Sequence, residues 1–107
     1  MRTITAPELA RWLAEDGGQA PVVLDVREPW EVALASLPGV VTIPMGRIVA
    51  EHDQLDPERC TVCLCHHGAR SMQVAMFLER QGFTDVLNLT GGIHAWSELV
   101  DPAVTTY

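Results

Sequence analysis

TVCLCHHGARSMQVAMFLERQG, residues 61–82, changes character twice within its length. Residues 61–65 form a short run of apolar and sulfur side chains with no turn residue, which reads as a buried strand. His66, His67 and Gly68 break the run. From Ala69 onward the apolar positions take helical spacing. Ser71, Val74, Ala75 and Leu78 share one face, and Gly82 supplies a C-terminal stop. A strand, a tight polar turn and a helix make a βα unit, and such units build parallel sheets.

The same alternation extends in both directions. Residues 5–8, TAPE, have the form of a capping box, with Leu9, Trp12 and Leu13 following at helical spacing on one face. EDGGQAP, residues 15–21, is a turn or loop. VVLDV, residues 22–26, is a second buried strand. REPWEVALA, residues 27–35, reads as a short helix with Pro29 in its first turn. LPGVVTIP holds a turn and a short strand at 41–43, and MGRIVAEHDQL is a weak, irregular helical stretch. DVLNL at 85–89 is a further strand, and GGIHAWSELV from Gly91 begins a last helix. No repeat, low-complexity segment or linker interrupts this order. The expectation is one α/β domain over residues 1–107, with a central, mostly parallel sheet covered by helices on both faces.

Length and composition agree with that expectation. A chain of 107 residues is one domain against a usual size of about 100–200 residues. Its 48% hydrophobic content argues against disorder. The formal charge is −7, and the seven basic residues are all arginines. That balance argues against nucleic acid, which needs a basic footprint, and against anionic membrane surfaces. No segment resembles a signal peptide or approaches the ~18 apolar residues of a membrane span. Three cysteines, an odd number, fit a reducing compartment better than a disulfide framework. A soluble, cytoplasmic protein is the reading that follows.

The chemistry concentrates in the turn after the 61–65 strand. Open α/β sheets bind ligands at the carboxyl ends of their strands. A helix N-terminus offers unpaired N–H groups and the positive end of a dipole. Gly68 can adopt backbone angles that let successive N–H groups converge into an anion-binding nest. A cysteine in such a field is favoured as its thiolate, so Cys65 reads as a reactive sulfur beside an anion site. An arbitrary cysteine at the end of a buried strand is more often inert core. Here glycine, two histidines and arginine are poor packing choices for a buried turn, and they reverse that balance. Cys60 and Cys63 keep the inert reading.

Metal binding is the competing reading. Cys60-x-x-Cys63 lies beside Cys65, His66 and His67. A structural zinc site usually draws ligand pairs from separated segments, and here every strong candidate lies in one short stretch. Cys63 and Cys65 on one strand face sit about 6.5–7 Å apart, with Cys60 out of line. No metal is therefore expected, and His52 and His94 read as isolated surface or structural groups.

Four segments then resemble one family, the single-domain rhodanese (sulfurtransferase) fold. CHHGARS (residues 65–71) matches its C-x-x-G-x-R-S pattern, and LDVREPWE (24–31) its D-x-R-x-x-x-E segment. LPGVVTIP (37–44) is similar to its I-P-G-A-x-N-I-P segment, and LTGGIHAW (89–96) to its closing G-G-x-x-A-W. They occur in the family's order across most of the chain. The resemblance implies a transferase that moves a sulfane sulfur through a persulfide on a catalytic cysteine. The donor would be thiosulfate or a persulfide, the acceptor cyanide or a thiol, with a protein as a possible donor or acceptor. Carried over by position, Cys65 is the nucleophile, and His66, His67, Gly68, Ala69, Arg70 and Ser71 form the substrate-binding loop. Arg70 either contacts the donor or braces the loop. Asp25 and Arg27 look like groups that hold the loop from behind, and Gly91, Gly92 and Trp96 look structural. No organic cofactor or metal is implied.

Related phosphatases of this fold place one more residue between the cysteine and the arginine. Here four residues, 66–69, separate Cys65 from Arg70. The shorter loop suits a persulfide sulfur better than a tetrahedral phosphoryl group, which ranks sulfur transfer above phosphatase activity. A non-catalytic interaction or persulfide-carrier module is the other alternative. The negative net charge repels an anionic donor such as thiosulfate at long range, so thiosulfate is expected to be a modest substrate.

Overall fold

A computed structural model of the chain describes residues 1–15, 18 and 20–107. The elements run β1 (Arg2–Ile4), α1 (Ala6–Ala14), β2 (Val22–Asp25), α2 (Pro29–Leu34), β3 (Val41–Thr42), α3 (Ile48–Glu51), β4 (Thr61–Leu64), α4 (Ala69–Arg80), β5 (Val86–Leu89) and α5 (Gly92–Leu99). Short 3-10 turns, Met45–Arg47 and His52–Gln54, flank α3. Among the described residues the strands form one sheet in the order β1-β5-β4-β2-β3, and every pair is parallel. The helices divide between the two faces, so the expected α/β architecture is the one present.

Alternating strand residues feed two separate cores. Val23, Val62, Leu64, Leu87 and Leu89 pack on one face with Leu9 of α1 and Ile93 of α5. Leu24, Cys63, Cys65 and Val86 pack on the other with Ile48 of α3 and Val74, Ala75 and Leu78 of α4. The inner face read for α4 is buried throughout. The capping box of α1 is formed: Glu8 N–H donates to Thr5 Oγ1, and Thr5 N–H to the Glu8 carboxylate at 2.9 Å.

The structure departs from the sequence reading in a few places. β1 was not expected. It is an edge strand of three residues paired only with β5, too short to carry a period. Leu13, read on the inner face of α1, is 38% exposed, because that helix ends one residue later. The strands starting at 22, 41 and 61 each stop one residue before the boundary read from sequence. For β4 the cause is visible: the Cys65 carbonyl accepts from Ile93 N–H at 2.9 Å, so it is turned toward α5 and away from the β-ladder. Asp16, Gly17 and Gln19, within the turn read at residues 15–21, lie outside the described residues. No helix among the described residues is long and apolar enough to cross a membrane.

Candidate functional site

β4 delivers Cys65 to the carboxyl edge of the sheet, and α4 departs four residues later, at Ala69. Gly68 is the N-cap of α4 with φ 111°, a left-handed angle that an L side chain adopts only under strain. α5 grips the other side of the loop. Ile93 N–H and His94 N–H donate to the carbonyls of Cys65 and His66 at 2.9 and 3.2 Å. Gly92 makes this grip possible: a Cβ there would lie 2.4 Å from both carbonyl oxygens. With its first carbonyls held outward by α5, the loop turns the Gly68 N–H toward the sulfur.

Cys65 is 1% exposed. Its Sγ accepts from Gly68 N–H at 3.1 Å and lies 3.3 Å from Ser71 Oγ. Asn88, on β5, organises this corner. Its side-chain amide donates to Gly68 O at 3.0 Å, and its Oδ1 accepts from Ser71 Oγ at 2.5 Å. Ser71 has one hydroxyl proton. While Asn88 takes it, Ser71 Oγ can accept from a Cys65 thiol; when Cys65 is a thiolate, the proton can turn to Sγ. The pair therefore adapts to either protonation state of the cysteine.

Arg70 is half-buried and points to α2. Its Nη1 and Nη2 donate to both carboxylate oxygens of Glu31 at 2.6 and 2.8 Å, the bidentate geometry arginine favours. Tyr107 Oη donates to Glu31 Oε2 at 2.7 Å, and Glu28 N–H donates to Oε1 at 3.1 Å. The guanidinium of Arg70, ahead of the opposing effect of burial, holds the Glu31 carboxyl down at about 2.

Asp25 and Arg27, both 0% exposed, reach the loop only through this network. Arg27 pairs with Asp25 at 2.7 Å, donates to the carbonyls of Glu31 and Ala35, and donates to Tyr107 Oη at 3.0 Å. They hold α2 and Tyr107, which in turn hold Glu31 against Arg70. Sequence reading missed the parts played by Glu31, Asn88 and Tyr107. Glu31 had a signal, as the final acid of D-x-R-x-x-x-E. Asn88 sat inside a strand pattern, and Tyr107 joins the site from 76 positions beyond Glu31.

The mouth is aromatic. The His66 ring stacks on Tyr107 with centroids 3.8 Å apart and planes 7° apart, and lies tilted against its other neighbour, His67, at 4.0 Å. Trp30 meets Tyr107 edge-on at 6.2 Å. Burial first, and the neighbouring His67 second, push the His66 pKa down. His94 Nε2 pairs with Glu98 Oε1 at 2.5 Å. Ala69 and His67 are exposed at the rim.

The remaining sulfurs lie elsewhere. Burial, then the adjacent Cys65, pushes the Cys63 thiol up to about 12. Burial, then Asp85, pushes Cys60 up to about 11. Among the described residues no group of three His, Cys, Asp or Glu side chains is arranged to hold a metal ion.

Comparison with known proteins matches residues 5–99 to the rhodanese-like domain family. The thiosulfate sulfurtransferase GlpE of Pseudomonas paraeruginosa is 38% identical over 101 residues, covering 94% of this chain and 88% of that protein. The rhodanese-like/PpiC domain-containing protein 12 of Arabidopsis thaliana, a chloroplastic protein, is 47% identical over 89 residues, covering 79% of this chain and 30% of that protein. This chain spans 30% and 27% of the length of the first two curated relatives it matches. Among solved structures, a rhodanese-related protein of Thermoplasma volcanium superposes with TM-score 0.86 at 30% identity, covering 100% of both chains.

Proposed function

The chain belongs to the rhodanese-like domain family, and from that premise we propose that it is a sulfurtransferase carrying sulfane sulfur as a persulfide on Cys65. The observation that carries the reading is the environment of one atom. Cys65 Sγ sits under the N-terminus of α4 with a backbone N–H and a hydroxyl aimed at it. Those are the groups that stabilise a sulfur anion.

The reaction runs in two displacements. The Cys65 thiolate attacks the outer sulfur of the donor, the donor's S–S bond breaks, and sulfite or a thiolate leaves. Cyanide or a thiol then attacks the outer sulfur of the Cys65 persulfide and regenerates the thiolate. Gly68 N–H and Ser71 Oγ stabilise the sulfur that carries charge at each stage, and Asn88 orients Ser71. Arg70 braces the loop through Glu31. A protein donor or acceptor remains within this reading. The three free cysteines support a reducing setting such as the cytoplasm.

Intact mass after incubation with thiosulfate, or with an organic persulfide, tests it. The expected result is a gain of one sulfur, removed by cyanide, in the native protein and in Cys60→Ser and Cys63→Ala but not in Cys65→Ser. Cys60 and Cys63 remain thiols at neutral pH, so they are poor nucleophiles. No gain in a folded native protein would move the weight to an interaction module. Phosphate-ester hydrolysis without sulfur gain would favour the phosphatase reading.

A further inference from the structure

Among the described residues, both arginines beside the loop are matched to a carboxylate. Arg27 pairs with Asp25, both at 0% side-chain exposure, and Arg70 pairs with Glu31, itself 4% exposed. His94 pairs with Glu98. What remains at the opening are the ring of His66, stacked on Tyr107, and the ring of His67, tilted against it. Burial, and then the neighbouring His67, disfavour charge on the His66 ring. The loop thus offers the Gly68 N–H and the α4 dipole to sulfur at this site, but its ion pairs sum to no net charge.

We propose that Glu31 sets the donor specificity of this site. By neutralising Arg70 it makes the mouth suited to organic persulfides, R–S–SH, in preference to the thiosulfate dianion. The inference rests on the sulfurtransferase reading above. For thiosulfate, a Cys65 thiolate must approach a dianion, and a sulfite dianion must leave, with no unmatched cation to offset the charge. For an organic persulfide, Cys65 forms its bond to the terminal sulfur while the donor S–S bond breaks. The terminal sulfur's proton passes to the departing R–S⁻, leaving Cys65–S–S⁻ and R–SH. One negative charge is present throughout. The rings of His66, Tyr107 and the 62% exposed Trp30 form an aromatic ledge beside the loop on which an organic R group can rest.

Glu31 does not touch the reacting sulfur; it acts through Arg70. Burial also makes the arrangement consequential, because a charge pair behind a protein wall is screened less than one in water.

The test compares kcat/KM for thiosulfate and for the persulfide of 2-mercaptoethanol in the native protein, Glu31→Gln and Glu31→Asp. The native protein should prefer the organic persulfide by about tenfold or more. Glu31→Gln, which leaves Arg70 unneutralised, should raise the thiosulfate-to-persulfide ratio by about tenfold. Glu31→Asp, which keeps the charge, should hold the native ratio. A purely structural role would lower both values together and leave the ratio unmoved in Glu31→Gln, overturning the proposal. Thiosulfate preference in the native protein would overturn it without any variant. In both cases Cys65 still acquires sulfur, so the sulfurtransferase reading survives. If neither donor leaves sulfur on Cys65, that reading fails and this inference falls with it.

Discussion

Gly92 governs Cys65 without touching its sulfur. Any side chain at position 92 would drive a Cβ to 2.4 Å from the carbonyl oxygens of Cys65 and His66, and its φ of 60° is one that L residues rarely hold. Neither backbone group can rotate aside, since both accept from the first N–H groups of α5. Gly92→Ala should therefore separate the loop from α5, with a stability loss of about 2 kcal/mol or more and a fall in sulfur transfer of at least about tenfold. Denaturant unfolding and steady-state turnover check it; a variant as stable and as active as the native protein would contradict the account. Sequence alone identified Gly91 and Gly92 as structural through the G-G-x-x-A-W resemblance, but not what they approach, because close contact between distant backbones leaves no local pattern. Ser71 gives the same lesson. Its spacing assigned it correctly to the buried face of α4, whereas its shared proton with Asn88 and Cys65 depends on two strands and a helix meeting at one point.

At the scale of elements, α2 serves the loop through one buried carboxylate. Glu31 is the N3 residue of α2, where its carboxylate accepts Glu28 N–H, and the same group receives Arg70 from α4 and Tyr107 from beyond α5. Its pKa of about 2 when folded lies below the roughly 4.3 of a free glutamate. The unfolded chain therefore binds more protons than the native protein between these values. Stability due to the pair is present above the upper value and is lost as pH falls through the lower one. The loss amounts to the order of 3 kcal/mol. Chemical denaturation from pH 5 down to about pH 2 should show this decline in the native protein and a shallower one in Glu31→Gln. An equal slope in both would mean that Glu31 is not ion-paired in solution. The network also explains the limits of sequence reading at this scale. α4 announced itself by its periodicity and its glycine stop, and α5 by the GGIHAWSELV stretch that opens it. Arg70 was legible as a site residue with two possible duties, and its pairing with Glu31 supports the bracing duty proposed above. β1 and Tyr107 carried no signal, because a three-residue edge strand and a single distant tyrosine acquire their roles only from the partners they meet.

The whole molecule brings two opposing fields to the same opening. The parallel sheet directs β4 and the N-terminus of α4 to one edge, where the helix dipole and the Gly68 N–H favour a sulfur anion over a few ångströms. The chain as a whole carries −7 and repels anions over the roughly 10 Å at which charges act through dilute salt. Salt separates the two, since it screens the long-range repulsion far more than contacts inside the loop. Raising ionic strength from about 0.01 M to about 0.15 M shortens the screening length from about 30 Å to about 8 Å. The KM for thiosulfate should therefore fall by a factor of about two or more over that range, with kcat nearly constant because the geometry around Cys65 does not change. A neutral organic persulfide, R–S–SH, should respond little, since repulsion scales with the charge of the donor. A KM for thiosulfate that rises with salt would mean that attraction at the mouth outweighs the net charge, and that the ion pairs around the loop leave a positive field which the donor feels on approach.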